Sequence, residues 1–593
     1  MLFRSPFAVE LAKVTMMLAR KLAIDELHIT EPALPLDNLD TQFRCTDALV
    51  SAGPDGAFIQ TPWPAADVII GNPPFLGAKI LKPELGPDYV NRLRALYPAV
   101  PGMADFCVYW IHRAHRHLAP CTAADPVAGR AGLVGTQNIR NNASRVGGLD
   151  QVARDGTIVE AVDNQPWSGE ANVHVSIANW VKTQDALLLP AKRRLWSKVE
   201  SKLAKPRRKR ASGPASKEFD LSFRDVTSIN SALSDKVDVS GAVSLVANAG
   251  VGYTGQYPRH DGFMLEAAEA KKMLTANPKN KEVIRPFLVG REMLSEEQDG
   301  RWVIDFQTRT ILEAQSYDEP FDHLRRVTLP YIAAKAEKER TQSKKEMGQD
   351  QTWLKTWWQH FRPRPELIGK VSKLERYIIC SRITKRPIFI FASPEIRPGD
   401  ALSCFVLEDD YSFGILQSNA HWQWFIEKCS KMKSDFRYTP ESVFDTFPWP
   451  QTPDAKAVRA VAAAGREVRR IRAETLPTLK GGLRALYRTL ELPGANPLKA
   501  AHAALDEAVL VAYGFSGRKD LLAQLLALNQ TVAAQIERGE TVTAPGIPAG
   551  FPNPANLVTA DCIRPLGALY TQADLDAAHV YSANEDPPTS SIP

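Results

Sequence analysis

Asn72, Pro73, Pro74 and Phe75 stand directly after an apolar run, Val68 to Ile70, closed by Gly71. That run reads as a fully buried parallel strand, and the turn beyond the carboxyl end of such a strand is where open α/β sheets bind ligands. The residue types there suit one kind of reaction. An amine on an aromatic base is a weak nucleophile because its lone pair is delocalised into the ring. If the Asn72 side-chain oxygen and the Pro73 carbonyl each accept one of its N–H groups, the nitrogen is drawn toward tetrahedral geometry and its lone pair faces an electrophilic methyl group. Phe75 would stack on the ring, while the two prolines, fixed in φ and without N–H groups, keep the acceptors aimed. Such a corner cannot reach a base inside a duplex, so the target nucleotide must be flipped out or single-stranded. The same residues also make an ordinary proline-stiffened turn, since Asn-Pro commonly starts one.

The neighbouring elements must hold this corner. Ser5 and Pro6 read as the N-cap and first residue of a helix on which Leu11, Val14, Met17, Leu18 and Leu22 recur. A short strand around Phe43 to Cys45 ends in Thr46-Asp47. Tyr89 to Leu96 and Ala104 to Leu118 read as helices, the second with Phe106, Val108, Trp110 and Ile111 on its apolar face. His112, His115 and His117 fall on that helix, and its charge-rich face is expected to be solvated. No cysteine or carboxylate completes a ligand set there, so no metal is expected. A buried strand, Ala131 to Gly135, leads into Thr136-Gln-Asn-Ile-Arg140, and Ile158 to Val162 and Val173 to Val181 are expected as the last strands. Trp167 lies in a Pro/Gly loop between them, placed either to touch an extruded base or to pack over the sheet edge.

With 593 residues the chain is too long for one core, and two or three large domains are expected. A content of 44% hydrophobic and 24% charged residues is that of a globular protein, and a net charge of +6 permits nucleic-acid binding without requiring it. The seven cysteines are scattered without a Cys-x-x-Cys pair, which argues for a reducing compartment and against a zinc site. No apolar run is long enough to span a bilayer and no signal peptide is evident, so a cytoplasmic location is expected.

Asn-Pro-Pro-Phe after an apolar strand resembles the catalytic motif of class I amino-group methyltransferases that act on adenine N6 with S-adenosylmethionine. A tyrosine in place of Phe75 is more usual in the similar enzymes that methylate a glutamine side chain. Together with Ala-Asp-Phe-Cys-Val-Tyr-Trp, Gly-Leu-Val-Gly-Thr-Gln-Asn-Ile-Arg and Pro-Trp-Ser-Gly-Glu-Ala, the motif order resembles the large adenine-specific DNA methyltransferases of the MmeI-like group of restriction-modification and phage-defence systems. The likeness runs over residues 5–182 and more loosely to about 530. It implies that Asn72 and Pro73 orient the amine, with Pro74 and Phe75 completing the catalytic corner. It also implies that Asp47 accepts from the cofactor's adenine amine, with Pro6 and Phe7 beside it, and that Asn138, Arg140 and Trp167 meet DNA. Complete enzymes of this kind carry, before the first helix, a strand with a glycine loop for the methionine end of the cofactor and a second strand ending in an acidic residue for the ribose. Only five residues precede Pro6 and no glycine-rich substitute occurs downstream, so residues 1–190 are expected to be an N-terminally incomplete catalytic domain, an α/β partial Rossmann-like sheet.

Positive charge concentrates from Lys192 to Arg210, including Arg207, Arg208, Lys209 and Arg210, and residues 191–238 read as a basic linker suited to phosphate contact. Residues 239–452, rich in aromatics and turns, resemble a mixed α/β target-recognition domain, in which Trp353, Trp357, Trp358, Arg362 and Arg364 cluster. Arg362 and Arg364 are candidate DNA contacts, while the tryptophans are more often core. A helical C-terminal region, 453–540, and a Pro-rich tail, 541–593, expected to be poorly ordered, complete the chain. No Asp/Glu-x-Lys nuclease core stands in a recognisable strand context, so the chain itself is not expected to cut DNA. The expectation is a site-specific adenine N6 methyltransferase acting on double-stranded DNA with S-adenosylmethionine. Two alternatives stay open: a DNA-binding specificity component that needs an N-terminal methyltransferase or nuclease chain, and a protein glutamine methyltransferase.

Overall fold

The computed structural model describes residues 2–3, 5–28, 43–166, 174–200, 219–294, 301–342, 348–432 and 435–560. The chain divides into two compact units, residues 1–238 and 239–593.

In the first unit β1 (Leu2–Phe3) pairs in parallel with β2 (Arg44–Cys45), and α1 (Pro6–Leu27) connects toward β2. Pro6 opens α1 because a proline at the first helical position gives up an N–H that the helix leaves unbonded anyway. The stripe Leu11, Val14, Leu18 and Leu22 is exposed, and Val9 is the one buried residue of the helix. A hairpin of β3 (Val50–Ala52) and β4 (Phe58–Gln60) follows, then β5 (Val68–Gly71), α2 (Leu81–Leu85), α3 (Pro87–Leu96), α4 (Cys107–His117) and β6 (Arg130–Thr136). The unit continues through α5 (Asn142–Gly147), α6 (Leu149–Val152), β7 (Thr157–Pro166), β8 (His174–Val181), β9 (Arg193–Glu200) and β10 (Phe219–Val226).

Six of these strands form one sheet in the order β10-β9-β7-β8-β6-β5. β5 runs parallel to β6 and β7 parallel to β9, while β8 is antiparallel to both β6 and β7. One face packs on Val108, Ile111, Leu149 and Val152 from α4 and α6.

Three expectations need correction. β5 is an edge strand among the described residues, not a fully buried one: Ile69 faces the core, whereas Val68 is 48% and Ile70 80% exposed. Residues 193–200 and 219–226, expected within the linker, are the antiparallel strands β9 and β10. His112 and His115 are buried, because their spacing from Val108 and Ile111 turns them toward the core rather than to solvent. His115 there bonds Asp155 at 2.6 Å.

The second unit holds two four-stranded sheets. Its strands are β11 (Gly252–Thr254), β12 (Met264–Leu265), β13 (Ile284–Leu288), β14 (Trp302–Ile304), β15 (Tyr377–Ser381), β16 (Phe389–Ala392), β17 (Arg397–Pro398) and β18 (Leu402–Phe405), with a hairpin of β19 (Ser430–Met432) and β20 (Asp435–Arg437). The sheets run β11-β18-β15-β16 and β12-β14-β13-β17. Trp353, Trp357 and Trp358 pack in the core with Phe263, Phe306 and Phe321. The helical stretch after Trp449 is part of this unit. In helix Leu521–Glu537 the buried Asn529 bonds the Val243 main chain in both directions and donates to the Thr446 carbonyl, tying both ends of the segment 243–446 to the C-terminal helices. No helix of the described residues is long and apolar enough to cross a membrane.

Candidate active site

The parallel register Gly71 to Leu133 brings the carboxyl ends of β5 and β6 side by side. The chain leaves β5 through Asn72, Pro73, Pro74 and Phe75, with Asn72 and Pro74 exposed, Pro73 buried and Phe75 half-buried against the core. Among the described residues the Asn72 amide makes no hydrogen bond, and nothing donates to the Pro73 carbonyl. The two acceptors assigned to an incoming amine are therefore unspent.

Asp105, which sequence reasoning passed over, organises the corner from below. Its buried carboxylate accepts the Thr136 hydroxyl at 2.6 Å and the Asn138 amide at 3.0 Å, while its main-chain N–H donates to Ser144 Oγ. The next residue, Phe106, donates its N–H to the Leu76 carbonyl at 2.9 Å. One carboxylate thus joins the loop after β5, the start of α4 and the end of β6. The clue available in sequence was an acidic residue just before a helix. Its partners lie 31 and 33 residues away, beyond any local pattern.

Cys107 lies below this loop, 3.5 Å from where a Cβ on Gly135 would stand. Burial pushes its thiol up to about 12, so it is protonated and inert as a nucleophile. The two unspent oxygens at the corner could accept the N–H groups of an amine.

The residues expected around the cofactor come together. β1 and β2 run parallel, so the turn to Pro6 and Phe7 and the turn to Asp47 leave the same end of the pair. Phe7 is 76% exposed. Asp47 accepts from the Leu49 and Val50 N–H groups with one oxygen and from the Tyr89 hydroxyl with the other. These three bonds fix the orientation of the Asp47 carboxylate. Phe7 and Asp47 are the residues here that could hold the adenine end of S-adenosylmethionine. No glycine-rich strand-loop-helix occurs among the described residues for the methionine end.

The expected DNA contacts fare unevenly. Asn138 spends its amide on Asp105, and Arg140 is buried with Asp163 at 3.8 Å. Trp167, Arg207, Arg208, Lys209 and Arg210 lie outside the described residues. Arg362 is exposed and Arg364 half-buried, both in the second unit. Among the described residues no group of three or more His, Cys, Asp or Glu side chains is placed to hold a metal ion.

Comparison with known proteins bears on the second unit. Residues 237–451 match the family model of the MmeI target recognition domain. The observed unit boundary at Val239 falls at the start of that match. Among solved structures, the type IIL restriction-modification enzyme MmeI in complex with DNA is similar at a TM-score of 0.58 and 19% identity, over 79% of this chain and 57% of that one. The present chain therefore spans 57% of the MmeI chain it matches. The type IIG restriction endonuclease BpuSI (TM-score 0.24, 10% identity, 76% and 54% covered) and the DrdV–DNA complex (0.29, 12%, 80% and 56%) also match, too distantly to carry a structural argument. No curated protein sequence matches the chain. The MmeI-type match thus covers the recognition segment, and the fold of the chain is similar to that of MmeI.

Proposed function

We propose that the chain is the catalytic and target-recognition portion of a site-specific DNA adenine N6-methyltransferase of a restriction-modification or phage-defence system. The observation that carries this reading is the corner at Asn72 and Pro73, whose two acceptors are unspent, at the carboxyl end of a parallel strand pair. The match of residues 237–451 to a target recognition domain supplies the substrate class, double-stranded DNA. S-adenosylmethionine supplies the electrophilic methyl group when bound. Asn72 Oδ1 and the Pro73 carbonyl accept the two amine N–H groups of a flipped adenine, Phe75 stacks on its ring, and Pro74 stiffens the turn. With the cofactor bound, the methyl–sulfur bond would break, its electron pair remaining on sulfur, as the nitrogen–carbon bond formed, and one N–H proton would pass to solvent. The β5–β6 pair with antiparallel β8 is in keeping with a partial Rossmann-like methyltransferase sheet.

The test is Asn72→Ala in the full chain. Methyl incorporation into duplex DNA should fall by at least about 100-fold, the scale for a lost aimed contact to the reacting group, with DNA affinity kept. Unchanged incorporation removes the catalytic reading.

A second reading, a DNA-binding specificity component, is favoured by the open outer edge of β5 with Ile70 exposed beside it. In that case further polypeptide, on this chain or another, adds a strand there and brings the rest of the cofactor site. Titration with S-adenosylmethionine separates the two: micromolar binding supports the first reading, and none supports the second.

A further inference from the structure

Four arginines from separate stretches of the second unit converge at one end of the sheet β11-β18-β15-β16. The register Thr254 to Ser403 and Ser381 to Leu402 places the carboxyl ends of β11 and β15 and the start of β18 at that end. The turn Gly399 to Ala401 crosses it. On one side Gln256 donates its main-chain N–H to Pro398 and its side-chain amide to the Pro363 carbonyl, both at 2.7 Å, which anchors Arg362 and Arg364 there. Gly255 permits the approach, because a Cβ would overlap the Gly399 and Pro398 carbonyl oxygens. On the other side Arg382 donates its N–H to Ala401 and its Nη1 to the Asp400 carbonyl at 2.8 Å, and Tyr438 donates back to the Arg382 carbonyl, bringing Arg437 alongside.

This arrangement is costly in the free protein. Among the described residues none of the four arginines is ion-paired, and the nearby acids Asp400 and Glu441 are exposed. Arg364 is held at φ 54, the left-handed region that non-glycine residues rarely adopt, and its Nε is buried without a hydrogen-bond partner. Burial and then the neighbouring guanidinium of Arg362 depress the pKa of Arg364, as burial and then Arg437 depress that of Arg382. Both stay charged at neutral pH. The exposed Asp400 and Glu441 offset part of the charge of these crowded guanidiniums, which still offer donors to an acceptor-rich surface.

We propose that Arg364 and Arg382 read guanine edges in the major groove of the target duplex, with Arg362 and Arg437 supporting them. The proposal rests on the reading of this unit as a DNA recognition domain and adds which base it reads and with which residues. A phosphate contact needs only a point charge, whereas guanine O6 and N7 need two N–H groups in a fixed plane. Main-chain carbonyls hold the Arg382 guanidinium through Nη1 and, more loosely, Nε at 3.4 Å from the Tyr438 carbonyl, leaving Nη2 and the second Nη1 proton unbonded among the described residues.

The experiment selects duplexes from a randomised pool with the full chain, then compares wild type, Arg364→Ala, Arg382→Ala and Arg382→Lys on the enriched and a scrambled duplex across salt concentrations. Wild type should enrich a motif with a fixed guanine. Each variant should lose preference at a guanine and bind the enriched duplex roughly 10- to 100-fold more weakly, the scale of a bidentate base contact. Affinity for the scrambled duplex and the salt slope should hold. Arg382→Lys keeps charge and burial without the planar fork, so it decides the matter should the alanine variant fold poorly. Equal weakening on both duplexes with a shallower salt slope would mean phosphate contacts and overturn the proposal, as would variants that keep the wild-type motif. A wild-type chain that binds no duplex would instead overturn the DNA-recognition reading beneath it.

Discussion

The Thr136 hydroxyl donates to the buried Asp105 carboxylate at 2.6 Å, linking the end of β6 to the turn just before α4. Because Phe106 next door bonds the Leu76 carbonyl, this link also steadies the loop that leaves Asn72. Asp105→Ala leaves the Thr136 and Asn138 donors without their acceptor and should cost about 1–3 kcal/mol in denaturant unfolding. If Asp105 positions the corner, methyl incorporation should fall further than stability explains, since a misplacement of about 1 Å can cost ~100-fold. A destabilised variant with full incorporation would make Asp105 merely structural.

Ile69 and Ile70 are adjacent in β5 but point to opposite faces, one packed on the core and the other 80% exposed. Ile70→Ser should change stability by no more than about 0.5 kcal/mol, as surface substitutions do. Ile69→Ala should cost about 1–2 kcal/mol, below the range for a fully buried isoleucine because Ile69 is only partly buried. Paired urea titrations decide this, and equal costs would mean that the outer face of β5 is covered in solution.

The contrast between these neighbours illustrates what sequence could and could not convey. Val68 to Gly71 is legible as a strand from its apolar run, but which neighbour covers each face is a tertiary fact, so the expectation of full burial was too strong. β9 was obscured because its arginines and lysine read as a charged linker and its apolar Leu195 and Trp196 are adjacent, giving no period-two pattern. The exposed corner at Asn72 was legible because proline chemistry is local. Asp105, by contrast, acts through residues more than thirty positions away, and Arg364 and Arg382 meet through the register of three strands. No periodicity records either.

In the second unit Asp410 is wholly buried and accepts Arg376 at 2.7 Å, Arg469 at 2.8 Å and the Thr559 hydroxyl at 2.8 Å, with Arg466 at 3.6 Å. Asp410→Asn removes the carboxylate charge while the guanidiniums of Arg376 and Arg469 stay buried. It should destabilise this unit by about 3–5 kcal/mol, the cost of stranding buried charge. Arg466 is partly exposed, and Arg466→Ala should cost no more than about 1 kcal/mol. Thermal unfolding of the two variants checks the ranking, and a reversed order would place the charge balance elsewhere.

His421 is fully buried, with Nε2 2.9 Å from the Tyr438 hydroxyl, and burial pulls its pKa down to about 3, only partly offset by the Leu416 carbonyl, which favours the protonated ring. The unfolded imidazole titrates near 6.5, so between about pH 6.5 and 3 the unfolded chain binds a proton that the folded one refuses. The contribution is fully present above pH 6.5 and is lost as pH falls toward the folded value, at about 1.4 kcal/mol per pH unit. Asp409 and Asp445, raised to about 6 mainly by burial, work in the opposite sense, stabilising the fold as pH falls below 6. The net curve of the wild type is therefore a difference, and the histidine term is isolated by subtraction. From about pH 7 to about pH 5, His421→Gln should lose about 2 kcal/mol less stability than wild type in urea unfolding. Parallel curves for the two proteins would show that His421 takes up its proton without unfolding the site.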